Sequence, residues 1–430
     1  MPTRLLLRSA WQTVNIGDIG HTPGALRLLD RYFPEAELTL WPSKVDRGVR
    51  EQLLAAFPRL KIAEGDVSLS GVATTPELQR AFDESDVLIH GSGPNVMVWE
   101  QVEAWRKTGR PYGAFGITFD RTRHGYTDWE DGTLAQLRAR MAALPSSAIK
   151  PIEREFFHGL SFAFFRDTFS LDYIRREFPG LPHIAFGPDA TFACDIRDDA
   201  RADTYLSAHG LEEKKFICVI PRLRWTPYYK MHGYPPSADD LVKDVLNART
   251  QSADHAGVRE MIIRWVRETG LKVLVCPEMT YQVQLGKEEL IDPLPADVKA
   301  NVVWRDTYWL NDEATSVYRK AHTLISLENH SPILAIRQGT PTIFIRQPTD
   351  TCKGQMWPDI GLPPDFFEVE DATGDALWAR LSAIHADYPA AQARTAAIYA
   401  RVESLQREMV LTVKRVAEQR VQVPLAAALG

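Results

Sequence analysis

The stretch that decides the fold is TLISLENHSPILAIRQGTPTIFIR, residues 323–346. Two short apolar runs within it, 323–325 and 342–345, have the length of buried strands, and the residues between them suit one short helix. The Ser-Pro pair at 331–332 fits the first turn of that helix, and Gly339 fits its end. The stretch therefore predicts a strand, a helix and a second strand parallel to the first.

The same alternation of strand-length apolar runs and amphipathic stretches extends along most of the chain. This pattern is typical of parallel sheets covered by helices. The other predicted strands are 5–10, 38–41, 60–63, 86–90, 112–117, 162–165, 216–220, 272–276 and 302–304. We expect an α/β protein with two Rossmann-like doubly wound domains facing each other across a cleft, with ligands at the carboxyl ends of the strands.

The chain of 430 residues is long enough for two domains. The charged stretch 195–215 has no strong strand signal, so the predicted N-terminal domain is 1–195 and the predicted C-terminal domain is 214–389. Residues 390–430 contain few helix breakers and predict a long helical segment that crosses back onto the first domain. Within the first domain, the pair at 22–23, Thr-Pro, predicts the start of the first helix.

The composition excludes several classes of protein. Lys and Arg number 50 against 56 Asp and Glu, a formal charge of −6, so no nucleic-acid partner is expected. No apolar run approaches the ~18 residues of a membrane span, which predicts a cytoplasmic protein without one. The four cysteines lack CxxC spacing, so neither a zinc knuckle nor a disulfide framework is expected.

Candidate anion-binding groups follow the predicted strands of the second domain. His330 stands at a helix start, where free N–H groups and the helix dipole favour a phosphate or carboxylate, and its imidazole can donate a hydrogen bond or a proton. A purely structural function, as a loop cap or in a polar pocket, is the alternative. Arg222, Arg224, Arg346 and Lys353 also follow strands, and at least two of them are expected to bind the same anion.

Polar loops after two strands of the first domain are candidates for the other wall of the cleft. The first loop contains Asn15, Gly17 and Asp18, where Asp18 would position an acceptor hydroxyl or take its proton, although both polar residues are also ordinary turn formers. The second loop contains Gly91, Ser92, Gly93 and Asn95. It begins like a dinucleotide fingerprint, but Val96 replaces the third glycine, so the evidence for a nicotinamide cofactor is weak.

Taken in order, these residues resemble the polysaccharide pyruvyl transferase family. The matching segments are 15–18, 86–93, Arg166-Asp167 with Ser170, Pro188-Asp189, the arginine after the first strand of the second domain, His330 with 339–341, and Lys353. The resemblance implies a glycosyltransferase-B-like architecture and transfer of pyruvate from phosphoenolpyruvate to a pair of carbohydrate hydroxyls, as in exopolysaccharide or cell-wall biosynthesis. It implies no metal and no other cofactor.

The resemblance also implies functions for individual residues. His330 would be the acid or the phosphate-binding group, and Asp18 would orient the acceptor. The donor side would be formed by Arg222, Arg224, Glu328, Asn329, Arg346 and Lys353. The acceptor side would be formed by Asn15, Gly17, Gly91, Ser92, Gly93 and Asn95.

The sequence departs from the family pattern at Glu328. Family members commonly carry Arg two residues before the histidine, and a carboxylate within ~5 Å of a phosphate would cost about 1–3 kcal/mol at an effective dielectric near 20, unless it is protonated or turned away. Arg346 and Lys353 would compensate. Alternatively, Glu328 binds ribose or sugar hydroxyls, which would favour a nucleotide-sugar donor and glycosyl transfer. A third possibility is a non-catalytic carbohydrate-binding protein.

Overall fold

The computed structural model describes residues 2–122 and 132–421, without the side chains of the last two. Its first sheet is built from the following strands: β1 (Arg4–Ser9), β2 (Glu37–Pro42), β3 (Lys61–Ile62), β4 (Val87–His90), β5 (Tyr112–Ile117), β6 (Phe162–Phe165) and β7 (Ile184–Phe186). The strand order is β3-β2-β1-β4-β5-β6-β7, and each neighbouring pair is parallel.

The second sheet has the same doubly wound character. Its strands are β8 (Phe216–Ile220), β9 (Lys272–Val275), β10 (Val302–Trp304), β11 (Thr323–Ser326), β12 (Thr342–Arg346) and β13 (Phe366–Glu368). They lie in the order β10-β9-β8-β11-β12-β13, again all parallel. The predicted fold class, two Rossmann-like α/β domains, is confirmed.

Helices connect the strands and cover the sheets. In the first half they are α1 (Ile16–Tyr32), α2 (Val49–Ala56), α3 (Pro76–Glu84), α4 (Trp99–Arg106), α5 (Leu134–Ala143), α6 (Pro151–His158), α7 (Thr168–Glu177) and α8 (Asp199–Ala208). In the second half they are α9 (Tyr228–His232), α10 (Ala238–Thr269), α11 (Gln282–Leu290), α12 (Ala296–Lys299), α13 (Asn311–Lys320), α14 (His330–Arg337), α15 (Met356–Ile360), α16 (Gly374–Ala386) and α17 (Tyr388–Val421). Within the described ranges, no helix has both the length and the apolarity needed to cross a membrane.

Both faces of the first sheet are buried, as expected for parallel strands covered by helices. Leu5 and Leu7 of β1 pack into one apolar cluster, whereas Leu6 packs into the cluster on the opposite face. Successive side chains of a strand point to opposite faces, so an uninterrupted apolar run is the sequence signature of this two-sided burial.

The long helix α17 packs against both halves of the molecule. Its later part, including Met409 and Val413, joins the apolar cluster that contains Leu26 of α1. Its earlier part, including Val402, packs beside Trp357 of α15. The predicted domain boundaries themselves stay a proposal, and residues 1, 123–131 and 422–430 of the predicted segments lie outside the described residues.

The predicted start of the first helix at residues 22–23 is wrong. Helix α1 begins at Ile16, because the side chain of Asn15 accepts a hydrogen bond from the Gly17 N–H at 2.7 Å and caps the first turn. Pro23 lies inside this helix. The sequence reasoning also missed the edge strands β7 and β13, which have three residues each and are too short to show a period.

Candidate active site

A cleft of about 470 Å³ opens where the carboxyl ends of strands from the two sheets meet. The segments after β1 and β9 form its floor, where the Ile16 N–H donates to the Glu278 carbonyl at 3.0 Å. The lining residues are Trp11, Gln12, Asn15, Asp18, Lys44, Pro94, Met97, Arg166, Arg222, Thr226, Tyr228, His232, Tyr234, Met279, Glu328, His330 and Lys353. The cleft thus brings together Asn15 and Asp18 from one predicted wall with His330 and three predicted donor-side residues, Arg222, Glu328 and Lys353.

His330 is the first residue of α14, and its ring is held by a buried carboxylate. Nδ1 of His330 lies 3.1 Å from Oε1 of Glu278. The same carboxylate accepts the backbone N–H groups of His330 at 3.2 Å and Ser331 at 2.6 Å, and the Ser331 hydroxyl at 2.8 Å. Burial raises the pKa of Glu278, but the bonds from His330 and Ser331 lower it more, so the net pKa falls below its usual value.

This arrangement changes the expected function of the helix start. The position does favour a carboxylate, but the carboxylate is the protein's own Glu278, which already occupies three donors at the N-terminus of α14. The remaining polar atom of the His330 ring is Nε2, and 5% of the residue is exposed on the cleft. His330 is therefore arranged to act through Nε2, not to bind an anion together with the helix dipole.

A second histidine, which the sequence reasoning missed, meets His330 from the first half of the chain. Nε2 of His21 lies 3.2 Å from Nε2 of His330 and 3.3 Å from Oδ2 of Asp189. Asp189 in turn accepts from Nη1 of Arg166 at 2.5 Å. Burial acts to raise the pKa of Asp189, but His21 and Arg166 hold it well below its usual range.

Asp18 and His21 lie three residues apart on one face of α1, and their nearest side-chain atoms are 3.9 Å apart. The spacing was readable in the sequence. The predicted helix start at residues 22–23 left Asp18 and His21 outside the helix, and residues three apart share one face only within a helix. Asp18 is also held by a hydrogen bond from Gln12.

Arg222 forms the centre of the donor-side charges. Its Nη1 lies 2.6 Å from Asp350, and its Nε lies 3.4 Å from Glu328. Lys353 approaches the same Asp350 oxygen at 3.3 Å. Although burial opposes ionisation, Arg222 and Lys353 hold the pKa of Asp350 below its usual value.

Glu328 is buried beside these cations. It accepts a hydrogen bond from Nε2 of Gln282 at 2.7 Å, and burial raises its pKa to about 8 although Arg222 opposes the shift. Glu328 could avoid repelling an anion by being protonated or by turning away from it. This buried environment favours protonation.

Two predicted donor-side arginines do not line the cleft, because their guanidinium groups pair with carboxylates elsewhere. Arg346 is fully buried and donates to Glu368 at 2.8 Å, to the Asp350 carbonyl at 2.9 Å and to the Gly132 carbonyl. It is the last residue of β12, and Glu368 is its register partner on the edge strand β13. Arg224 forms a two-pronged pair with Asp254 of α10 at 2.7 and 2.8 Å.

Several other predicted residues serve structural purposes. Asn329 accepts a hydrogen bond from the indole of Trp357 at 2.8 Å and faces the interior. Gly17 gives space to His330, since a β-carbon there would lie 2.1 Å from the ring.

The second polar loop supports the sheet edge. A β-carbon on Gly91 would meet Ser9 at 2.7 Å, and one on Gly93 would lie 3.3 Å from Trp11. Ser92 donates to the Phe115 carbonyl at 3.0 Å, and Asn95 bonds to the N–H of Val96 at 2.8 Å. The cleft is lined instead by their neighbours Pro94 and Met97.

Comparison with protein families identifies the chain. The family model for polysaccharide pyruvyl transferase matches residues 15–347. The chain belongs to the polysaccharide pyruvyl transferase family. Family membership indicates a transferase-type enzyme, and a sequence search of curated proteins finds no match.

The solved structures that resemble this family member share its fold at low sequence identity. MnaA of S. aureus with UDP has a TM-score of 0.57 and 9% identity, and the alignment covers 95% of each chain. UDP-GlcNAc 2-epimerase from Neisseria meningitidis bound to UDP-GlcNAc has a TM-score of 0.54 and 11% identity, covering 96% of this chain and 100% of that one. A UDP-glucose:anthocyanidin 3-O-glucosyltransferase with UDP scores 0.52 at 10% identity, covering 97% and 99%. These matches show a glycosyltransferase-B-like fold.

Proposed function

We propose that this family member is a pyruvyl transferase that moves the pyruvyl group of phosphoenolpyruvate onto a pair of carbohydrate hydroxyls. The observation that carries the proposal is the convergence of His330, Arg222 and Lys353, which follow three different strands, on one cleft. Asp18 lines the same cleft from the first half of the chain. The family match supports the same class of reaction.

The donor side has the charge that an anionic donor needs. Arg222 and Lys353 share the single carboxylate of Asp350, and Glu328 is mostly protonated near neutral pH because its pKa is about 8. Two cations against one carboxylate leave one positive charge on the cleft wall. That charge supports binding of the phosphate or carboxylate of phosphoenolpyruvate.

His330 is the proposed proton donor. Glu278 accepts from its Nδ1, which fixes the ring and leaves Nε2 as the atom that exchanges a proton. Asp18 orients the first acceptor hydroxyl and takes its proton.

In the proposed reaction, the first hydroxyl oxygen attacks C2 of phosphoenolpyruvate while C3 receives a proton from His330. Phosphate then leaves with its bonding electrons, and the second hydroxyl attacks C2 to close the ketal. The proton of the first hydroxyl balances the one that C3 gains, and the proton of the second is released with phosphate. The reaction consumes no oxidant and no reductant.

Glycosyl transfer from a nucleotide sugar is the second candidate. Neighbours of the same fold are described in complex with UDP or UDP-GlcNAc. Glu328 lines the cleft and offers a carboxyl group that can bond ribose or sugar hydroxyls. A non-catalytic carbohydrate-binding protein is the third candidate, and it predicts no turnover of either donor.

Calorimetric titration with phosphoenolpyruvate, UDP-GlcNAc and UDP-glucose separates the candidates. We expect binding of phosphoenolpyruvate at one site, and release of inorganic phosphate once a carbohydrate acceptor is added. Binding of a nucleotide sugar alone would replace the first candidate by the second.

A matched pair of lysine variants tests the donor side. Lys353→Met removes a cation paired with Asp350, and we expect phosphoenolpyruvate to bind about 10- to 150-fold more weakly, the usual effect of losing a hydrogen bond to a charged group. Lys287→Met removes a similar Lys–Asp pair outside the cleft, formed with Asp292 at 2.8 Å, and should leave the affinity unchanged. Equal affinity of both variants and the unmodified protein would exclude Lys353 from the donor site.

A further inference from the structure

The two histidines that meet below the cleft have the spacing of ligands on one metal ion. Their Nε2 atoms are 3.2 Å apart, and two imidazole nitrogens bound at 2.0–2.1 Å to a tetrahedral Zn²⁺ ion lie about 3.3 Å apart. One ring nitrogen of each histidine and one carboxylate oxygen of Asp18 lie within 4.8 Å of one another, and Oδ1 of Asp18 is 3.9 Å from Nδ1 of His21. All three residues are buried, and Asp18 and His330 also line the cleft.

With Nδ1 of His330 donating to Glu278, Nε2 of His330 presents its lone pair toward His21 and can bind a metal. Its Nδ1 is engaged by Glu278 at 3.1 Å, the kind of carboxylate contact that orients metal-binding histidines and raises their basicity. Among the described residues, Nδ1 of His21 has no hydrogen-bond partner although it is buried. Nε2 of His21 faces both His330 and Asp189, so three electron-pair donors converge on one small space.

The charges around the pair favour a cation. Asp18, Asp189 and Glu278 contact the two rings, and Arg166 is the guanidinium that contacts this group, through Asp189. Three carboxylates against one guanidinium leave two negative charges. Either two protons on the imidazoles or one divalent cation neutralises them.

A second histidine pair in the same molecule shows that the spacing alone does not make such a site. Nδ1 of His385 also lies 3.2 Å from a ring nitrogen of another histidine, Nε2 of His322. The charged neighbours that act on His322 are His385 and Lys214, both cationic when protonated. In the part of the chain that the structure describes, Asp18, His21 and His330 are the group in which histidine and carboxylate ligands converge.

We propose that Asp18, His21 and His330 bind one Zn²⁺ ion through one ring nitrogen of each histidine and one carboxylate oxygen, with the fourth coordination position open to the cleft. Three protein ligands and one open position are the arrangement of reactive zinc sites. The metal occupies the lone pair on which the proton of His330 would sit and an oxygen of Asp18, so the metal-bound form and the form that performs the proposed transfer are alternative forms of the protein. Metal binding is measured without donor or acceptor, so its outcome does not depend on the proposed function.

The test is titration of chelator-treated, full-length protein with ZnCl₂ by calorimetry, and with CoCl₂ by visible absorption. We expect one equivalent of Zn²⁺ to bind, and Co²⁺ to give the intense bands of tetrahedral coordination. His21→Ala should abolish both signals, and Asp18→Asn, an isosteric change at the edge of the cleft, should weaken binding at least about tenfold. His385→Ala, the matched change in the other pair, should leave both signals unchanged.

Circular dichroism and the melting temperature of each variant establish that it is folded before titration. If His21→Ala fails to fold, Asp18→Asn and His330→Gln carry the test. Absence of stoichiometric Zn²⁺ binding by the unmodified protein would overturn the proposal. Binding that is equally strong in folded Asp18→Asn and His330→Gln, or that disappears in His385→Ala, would also overturn it.

Discussion

The charge of Glu328 is expected to set the pH at which donor binding weakens. Burial raises the pKa of this carboxyl to about 8, so it is neutral near pH 7 and ionises as the solution becomes alkaline. Ionisation adds a negative charge 3.4 Å from Nε of Arg222, the central cation of the donor side. Glu328→Gln keeps the shape of the side chain and removes the titration.

The size of the effect follows from Coulomb's law. A carboxylate about 6 Å from one unit of donor charge, at an effective dielectric near 20, opposes binding by about 3 kcal/mol, and solvent and salt screening reduce this value to about 1–3 kcal/mol. The dissociation constant of phosphoenolpyruvate should therefore rise about 5- to 150-fold between about pH 7 and about pH 9.5. Phosphate monoesters are already doubly ionised above about pH 7, so the charge of the donor does not change in this window.

The assay is calorimetric titration with phosphoenolpyruvate across that pH range. In Glu328→Gln we expect an almost constant dissociation constant. Glu313→Gln is the matched control, because Glu313 is another buried carboxylate paired with an arginine, Arg305 at 2.8 Å, and it should keep the unmodified pH profile. A flat profile for the unmodified protein, or an unchanged alkaline loss in Glu328→Gln, would refute the reasoning.

Glu328 also makes the stability of the fold depend on pH. The folded-state pKa of about 8 exceeds the ordinary value of 4.5, so between these values the folded chain keeps a proton that the unfolded chain releases. The contribution of Glu328 to the free energy of unfolding therefore decreases as pH rises from about 4.5 to 8 and is constant above that range. Denaturant unfolding of Glu328→Gln should lack this decrease. Glu328→Arg is a poorer test of this titration, because it would place a second guanidinium next to that of Arg222.

Three further changes address other parts of the site. His330→Asn should still bind phosphoenolpyruvate, and its melting temperature should stay within a few degrees of that of the unmodified protein. The rate of transfer, measured as phosphate release, should fall about 10²–10⁴-fold, because an amide carries no transferable proton at neutral pH. Full turnover would show that His330 is not the acid. Gly17→Ala should lower the free energy of unfolding, measured with urea, by about 1–3 kcal/mol and should also lower turnover, because the new β-carbon would lie 2.1 Å from the His330 ring. Unchanged stability and rate would contradict this close contact. Arg224→Met should destabilise the fold by about 3–5 kcal/mol, because it leaves the buried carboxylate of Asp254 without its partner, and donor affinity should stay unchanged. A loss of donor affinity without a loss of stability would show that Arg224 binds the donor.

Much of the fold was predictable because most of the parallel strands contain a short apolar run whose residues are buried. The rule that ligands meet the carboxyl ends of such strands also selected Asn15, Asp18, Arg222 and His330, which do line one cleft. Arg346 shows where this rule fails. It stands at a strand end, but its partner Glu368 lies on an edge strand of three residues that leaves no periodic signal.

The partners of His330 needed three-dimensional information. Glu278 follows β9 just as the other site residues follow their strands, so the same rule would have found it. His21 is different, because its meeting with His330 joins positions 309 residues apart, and no local pattern reports such a contact. Recognising Asn15 as a helix cap would at least have placed His21 on the same face as Asp18.

The contact between His21 and His330 also joins the two halves of the molecule, because α1 follows a strand of the first sheet and α14 follows a strand of the second. Any separation of the two sheets would pull one ring away from the other while leaving each with its own carboxylate, Asp189 or Glu278. The imidazole resonances of the pair in NMR spectra would therefore report opening and closing of the halves. The proposed proton donor, His330, would then also be one half of a sensor of domain motion.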